Sequence, residues 1–184
     1  MDGLRFNVAG LLKETAGATR DYDVDAASEE LAGLLEDARP LAALRGHLRL
    51  LRTPRSIFAR GTLQTTVSVE CSRCLADTEV PLSFYLEDEF FPEIDVTTGH
   101  PLPRPDDDGL GFMIDANHEL DLGEAVRQHL LLELPMQAIC SETCAGLCPH
   151  CGVDLNTGEC ACADEAIDER LAPLRALFES AGRQ

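Results

Sequence analysis

Eight cysteines stand in this chain of 184 residues, and six of them, Cys140, Cys144, Cys148, Cys151, Cys160 and Cys162, fall within 23 residues. Cys71 and Cys74 lie far upstream. The residues between the clustered cysteines are polar, as in Ser141-Glu142-Thr143 and Asn156-Thr157-Gly158-Glu159, so thiols buried as small hydrophobes would gain little there. Ligation of a metal explains them better. In Cys148-Pro149-His150-Cys151-Gly152 a tight turn aims two thiolates at one spot, and the glycine permits the backbone reversal that turns amide N–H groups toward the sulfurs.

Four thiolates satisfy one tetrahedral zinc, so eight satisfy two. Spacing suggests a local set, Cys148, Cys151, Cys160 and Cys162, and a long-range set that joins Cys71 and Cys74 to Cys140 and Cys144. The second set would clamp the cysteine-rich segment onto the upstream part of the chain. An alternative partition, with Cys140 and Cys144 sharing a site with two downstream cysteines, fits the same spacing. Cys144-x3-Cys148-x2-Cys151 also has the spacing of an iron–sulfur triad, but radical enzymes of that kind place it near the start of a long barrel, not near the end of a short chain. Structural zinc, two ions per chain, is the expectation.

Upstream the pattern is that of strands. Leu48 and Leu50 alternate with His47 and Arg49; Leu63, Thr65, Val67 and Val69 alternate with polar residues; Val80, Leu82, Phe84 and Leu86 repeat the period of two. This predicts an antiparallel meander with one wet face, with Cys71 and Cys74 at the turn between its second and third strands. A redox Cys-x-x-Cys sits where a strand meets a helix, so this pair reads as half of a metal site. A short strand is expected around Leu4 to Val8, then a polar loop, then a helix over Ser28 to Ala38 with Ser28 as N-cap. A further helix is expected from Leu122 to Leu134, capped by Asp121 with Glu124 three residues on and stopped by Pro135. Residues 97–111 hold three prolines in five positions and read as an exposed loop. Ile167, Leu171, Leu174 and Phe178 have helical spacing. The fold class is therefore α+β: an antiparallel meander packed with a few helices and a zinc-stapled C-terminal segment. The expected organisation is a single domain over 1–184, with a sheet and helix core in 1–135 and the cysteine segment and last helix in 136–184. His100, His118 and His129 read as surface or cap residues.

The chain carries 15 Lys and Arg against 33 Asp and Glu, a formal charge of −18, which favours solubility and basic partners over general phosphate affinity. Nothing at the N-terminus resembles a secretory signal and no stretch is apolar enough to span a membrane, so a cytoplasmic protein is expected. The charge is uneven. Between Arg39 and Arg73 seven arginines face one acid, Glu70. Arg45, His47 and Arg49 share a face of one strand, with Arg52 and Arg55 following at the turn, and such a strip suits RNA phosphates. The competing reading is that these arginines pair with the chain's own carboxylates. Acidic runs, Glu87-Asp88-Glu89 and Asp106-Asp107-Asp108, could hold a basic partner protein.

The chain resembles the YceD family of large ribosomal RNA subunit accumulation proteins. The likeness rests on Cys71-Ser72-Arg73-Cys74-Leu75, on the run from Cys140 through Cys148-Pro149-His150-Cys151-Gly152 to Asn156, on Cys160-Ala161-Cys162, and on Ile167-Asp168-Glu169-Arg170-Leu171, where Glu169 replaces a frequent proline. The resemblance implies a role in accumulation or processing of large-subunit (23S) ribosomal RNA, in bacteria and in plant organelles, acting on that RNA or its precursor particle without established catalysis; the acidic runs would then hold a basic ribosomal protein, and with no transit-peptide pattern at the N-terminus a bacterial cytoplasm is expected. No phosphate loop, Gly-x-Ser-x-Gly or His-Glu-x-x-His occurs in the sequence, so no enzyme, membrane partner or small-molecule substrate is expected. The second reading is a zinc-dependent protein–protein adaptor in transcription or metal handling without RNA contact.

Overall fold

The computed structural model describes residues 3–36, 38–103 and 111–162. The expected last helix and the Asp106–Asp108 run lie outside the described residues. In chain order the elements are β1 (Arg5–Asn7), α1 (Ala9–Leu12), β2 (Thr19–Ala26), α2 (Ser28–Ala32), β3 (Arg39–Pro40), β4 (Leu44–Arg52), β5 (Ile57–Glu70), β6 (Asp77–Pro92), β7 (Phe112–Ile114), β8 (Glu119–Asp121) and α3 (Gly123–Glu133). The architecture is mainly β: the helices span only 4, 5 and 11 residues.

One sheet takes the order β1-β8-β7-β6-β5-β4-β2, with β3 paired to β5. Its centre is the expected meander β4-β5-β6, antiparallel from Arg52↔Ile57 to Glu70↔Asp77. The β6–β7 pairing is parallel, which the alternation pattern could not reveal. Alternate residues of the meander point inward, and Leu48, Leu50, Ile57, Leu63, Leu86 and Phe90 are almost wholly buried. Each such side chain contributes roughly 1.5–3 kcal/mol. Val126 and Leu130 of α3 join this core.

Gly46 and Gly61 let β4 and β5 approach closely. Gly46 lies opposite Leu63 and Gly61 opposite Leu48, and a Cβ on either glycine would run into the carbonyl oxygen of Thr62 or of His47.

Four local expectations are corrected. The polar loop after β1 contains β2, paired with β4 along its whole length; Tyr22, Val24 and Ala26 turn inward while Asp21, Asp23 and Asp25 turn outward. The helix over Ser28 to Ala38 is only α2, closed at Gly33; Ala27 is its N-cap in extended backbone, and Ser28 is its first residue. The expected capping box of α3 does not form. Asp121 accepts the Gly123 N–H at 2.7 Å, but Glu124 turns away to Arg127, at 2.6 and 2.8 Å, and Gln128 at 2.9 Å. His129, expected at the surface, stacks on Phe84 and meets Asp88 at 2.9 Å where α3 covers β6.

Candidate metal centres and the adjoining sheet face

The turn between β5 and β6 carries Cys71 and Cys74, and the chain after α3 folds back onto it. Backbone contacts fix the docking: Ser72 N–H donates to the Ala138 carbonyl at 2.8 Å, Leu147 N–H donates to the Arg73 carbonyl at 3.0 Å, and the Arg73 guanidinium donates to the Cys144 carbonyl at 3.0 Å. Together these bring Cys71, Cys74, Cys140 and Cys144 into one group with all four Sγ atoms within 4.8 Å of one another. Sulfur–sulfur separations are 3.9 Å for Cys71 and Cys144 and 3.6 Å for Cys74 and Cys140. Four sulfurs each about 2.3 Å from a central ion in a tetrahedron would stand about 3.8 Å apart.

Cys148, Cys151, Cys160 and Cys162 form a second group under the same 4.8 Å limit, with Cys160 and Cys148 3.5 Å apart. Both groups can hold a metal ion. The partition with Cys140 and Cys144 in the upstream site is the one the fold assembles. Cys144 thereby falls in a different group from Cys148 and Cys151, so the iron–sulfur triad is not assembled.

The two Cys-x-x-Cys turns share one backbone plan. Leu75 N–H donates to the Cys71 carbonyl and Gly152 N–H to the Cys148 carbonyl, each at 2.9 Å, and both residues have positive φ, 60° and 73°. The glycine signals its turn in the sequence; the left-handed leucine does not, because its residue type gives no warning. The first group is also the more enclosed: Cys71, Cys74 and Cys144 form a small buried cluster packed by Leu147, whereas Cys151 is exposed. Asn156 laces this region, accepting the Ala145 N–H at 2.8 Å and reaching the Cys144 sulfur with its amide at 3.5 Å.

Thiols within each group differ in acidity. Backbone N–H groups of Cys74, Arg73 and Cys140 hold the Cys71 thiol down to about 6, and those of Cys151 and His150 hold Cys148 at about 6. Crowding by neighbouring sulfurs, Cys144 foremost, pushes Cys140 up to about 12, and Cys151 foremost does the same to Cys162. Each group thus pairs a sulfur whose ionisation backbone donors favour with one whose ionisation neighbouring sulfurs oppose. A dication bound by thiolates would offset that opposition.

The basic strip is where the sequence placed it, on the exposed face of β4, but it has partners. Strand β2 lays an aspartate beside each basic residue: Arg45 meets Asp25 at 3.2 Å, Arg49 meets Asp21 at 2.6 Å, and His47 meets Asp23. Arg52 turns inward at the β4–β5 turn, donating to the carbonyls of Leu12 at 3.4 Å, Ser56 at 3.1 Å and Thr53. Arg55 is exposed in that turn, and no ion pair to its guanidinium occurs among the described residues. Arg60, directly opposite Arg49 on β5, is absent from the expected strip.

Residues 59–178 match the family model described as large ribosomal RNA subunit accumulation protein YceD, a span that includes all eight cysteines. The chain belongs to the YceD family. It is 29% identical over 151 residues, 71% of this chain and 47% of the other, to the Arabidopsis thaliana chloroplastic YCED homolog 1, which carries the same description. It is 32% identical over 130 residues to a Mycobacterium tuberculosis protein described as uncharacterized, covering 69% of this chain and 58% of the other. With Bacillus subtilis YlbN, also described as uncharacterized, identity is 26% over 86% of this chain and 88% of that one. The chain spans about half the length of the first two relatives. No solved structure matches it. Among the described residues no helix is long and apolar enough to cross a membrane.

Proposed function

We propose that this YceD-family chain is a non-catalytic factor that supports accumulation of large-subunit (23S) ribosomal RNA in the bacterial cytoplasm, and that each four-cysteine group holds one structural zinc. The observation that carries the metal reading is the convergence of Cys71 and Cys74 with Cys140 and Cys144 at tetrahedral sulfur spacing. All-thiolate sets of four match closed structural zinc and leave no open position for a substrate. The family description and the chloroplastic relative's name support the ribosomal reading.

The RNA-facing surface in this reading is the β4 face and its turn: Arg45, His47, Arg49, Arg52 and Arg55. Arg45 and Arg49 remain half or more exposed in their pairs and can exchange Asp25 and Asp21 for phosphate, while Arg55 offers its charge directly. Arg52 supports the turn from beneath. Sucrose-gradient sedimentation of cell extract tests the reading: the protein should travel with precursor large-subunit particles, and an Arg55→Glu, Arg45→Glu variant should shift toward the top. Sedimentation with no ribosomal particle, in wild type as in variant, would contradict it.

The aspartate column of β2 favours a second reading, a zinc-dependent protein–protein adaptor, because it neutralises most of the strip. Under that reading the charge reversal leaves sedimentation unchanged and alters only protein co-purification.

A further inference from the structure

The described residues expose eight large hydrophobic side chains, and five of them, Leu75, Leu131, Leu132, Met136 and Ile139, lie in the last turn of α3, the segment after it and the adjoining cysteine turn. Met136 is fully exposed and Leu132 is 81% exposed. Leu75 and Ile139 flank Cys74 and Cys140, whose sulfurs are 3.6 Å apart, so both sides of the clasp carry apolar surface. Concentrations of exposed apolar side chains mark interaction sites in folded proteins. Met136 also lines a groove of about 750 Å³, open to solvent, with Leu134 and Ala138 on the same side. Its polar rim is acidic: Glu36, Glu70 and Asp77 are exposed there, with Arg39 as the one cation in the lining among the described residues, paired loosely with Asp77 at 3.7 Å, and Arg127 of α3 acting on Glu36 from outside it.

We propose that this groove docks a cationic amphipathic segment of a partner protein, its apolar side chains seated on Met136 and Leu134 and its Lys or Arg side chains meeting Glu36, Glu70 and Asp77. Apolar contacts from Met136 and Leu134 in an otherwise polar, acid-rimmed groove are complementary to a basic helix or strand that carries a few apolar side chains along one side. Charge argues against two other occupants. The chain's own residues 163–184 carry Asp164, Glu165, Asp168, Glu169 and Glu179 against three arginines, the wrong sign for this rim. A second copy brings another −18. This site goes beyond the ribosomal reading and does not depend on it, since the groove lies at the cysteine clasp and not on the face of β4.

The test uses the full-length zinc-loaded protein and a fluorescein-labelled leucine–lysine peptide with leucines at helical spacing, read by fluorescence anisotropy. Met136→Asp should weaken binding about tenfold or more, and Glu70→Lys with Asp77→Lys should weaken it similarly and flatten its salt dependence. Circular dichroism and zinc content of these variants should match wild type, since the replaced side chains are exposed. Equal binding by wild type and variants overturns the proposal, as does equal binding of a lysine peptide without leucines. A full-length Leu171→Asp, Leu174→Asp variant that binds the peptide about tenfold tighter would show the chain's own C-terminal segment in the groove, and a dimer abolished by Met136→Asp would show a second copy there. Either result also overturns it. RNA binding is measured in parallel on the same variants, so loss of peptide binding with RNA binding intact separates this site from the ribosomal reading.

Discussion

The sulfurs of Cys71 and Cys144, 73 residues apart in sequence, lie 3.9 Å apart, in a small buried cluster with Cys74 that joins the Cys71 turn to the segment after α3. Zinc held by this group would close that loop with coordinate bonds and contribute folding free energy on the order of 10 kcal/mol. Cys144→Ser should therefore free the segment after Pro135 while leaving the β4-β5-β6 core folded. Limited proteolysis checks this: cleavage should appear after residue 135 in the variant and after chelation of the wild type, with the sheet resistant. Uniform resistance would mean the clasp does not depend on metal.

The equivalence of Leu75 and Gly152 makes a cheap test of backbone strain. Leu75 holds φ 60°, a conformation that costs an L residue about 1–2 kcal/mol and glycine almost nothing. Its side chain is 59% exposed, so little packing is lost on truncation. Leu75→Gly should hold metal at least as tightly as wild type, whereas Gly152→Leu should weaken the second group; competition with a chromophoric chelator reads both.

Gly61 faces the opposite constraint, since the His47 carbonyl occupies the space of a Cβ. Gly61→Ala forces β4 and β5 apart at the centre of the sheet, and should cost about 3 kcal/mol or more in urea unfolding. An alanine variant with unchanged stability would contradict the pairing of Gly61 with Leu48.

Charge pairs on the outer face should matter little for folding. Arg49 and Asp21 are 51% and 65% exposed, so a double-mutant cycle should return below about 1 kcal/mol, falling with salt. At low pH a different pair reports: the Arg127 hydrogen bond holds the Glu124 carboxyl down to about 2. A depressed carboxylate stabilises the fold above its ordinary value of 4.5, and that stability is lost as pH falls from there through about 2. Glu124→Gln should thus narrow its stability deficit against wild type on acidification through that window, by a small amount because the pair is exposed.

Much of this was legible in the sequence because its signals are local or chemical. Period-two alternation marks β4, β5 and β6, and cysteine spacing marks a division into two fours that the fold assembles. What escaped depends on partners remote in the chain. Strand β2 alternates Tyr22, Val24 and Ala26 with three aspartates, a composition that reads as loop until β4 is known to supply Arg45, His47 and Arg49 opposite them. His129 looks solitary in sequence because Asp88 and Phe84 reach it from a strand some forty residues earlier. Arg49 and Arg60 are close in sequence, and their juxtaposition escaped because it depends on the register of the β4–β5 hairpin.

The most direct measurement is elemental analysis of the purified chain, followed by circular dichroism during chelation. Two zinc ions per chain, with the C-terminal structure lost as they are removed, is the predicted result. One ion would mean that only one of the two cysteine groups is a metal site, and iron, or no metal with unchanged structure, would contradict the account.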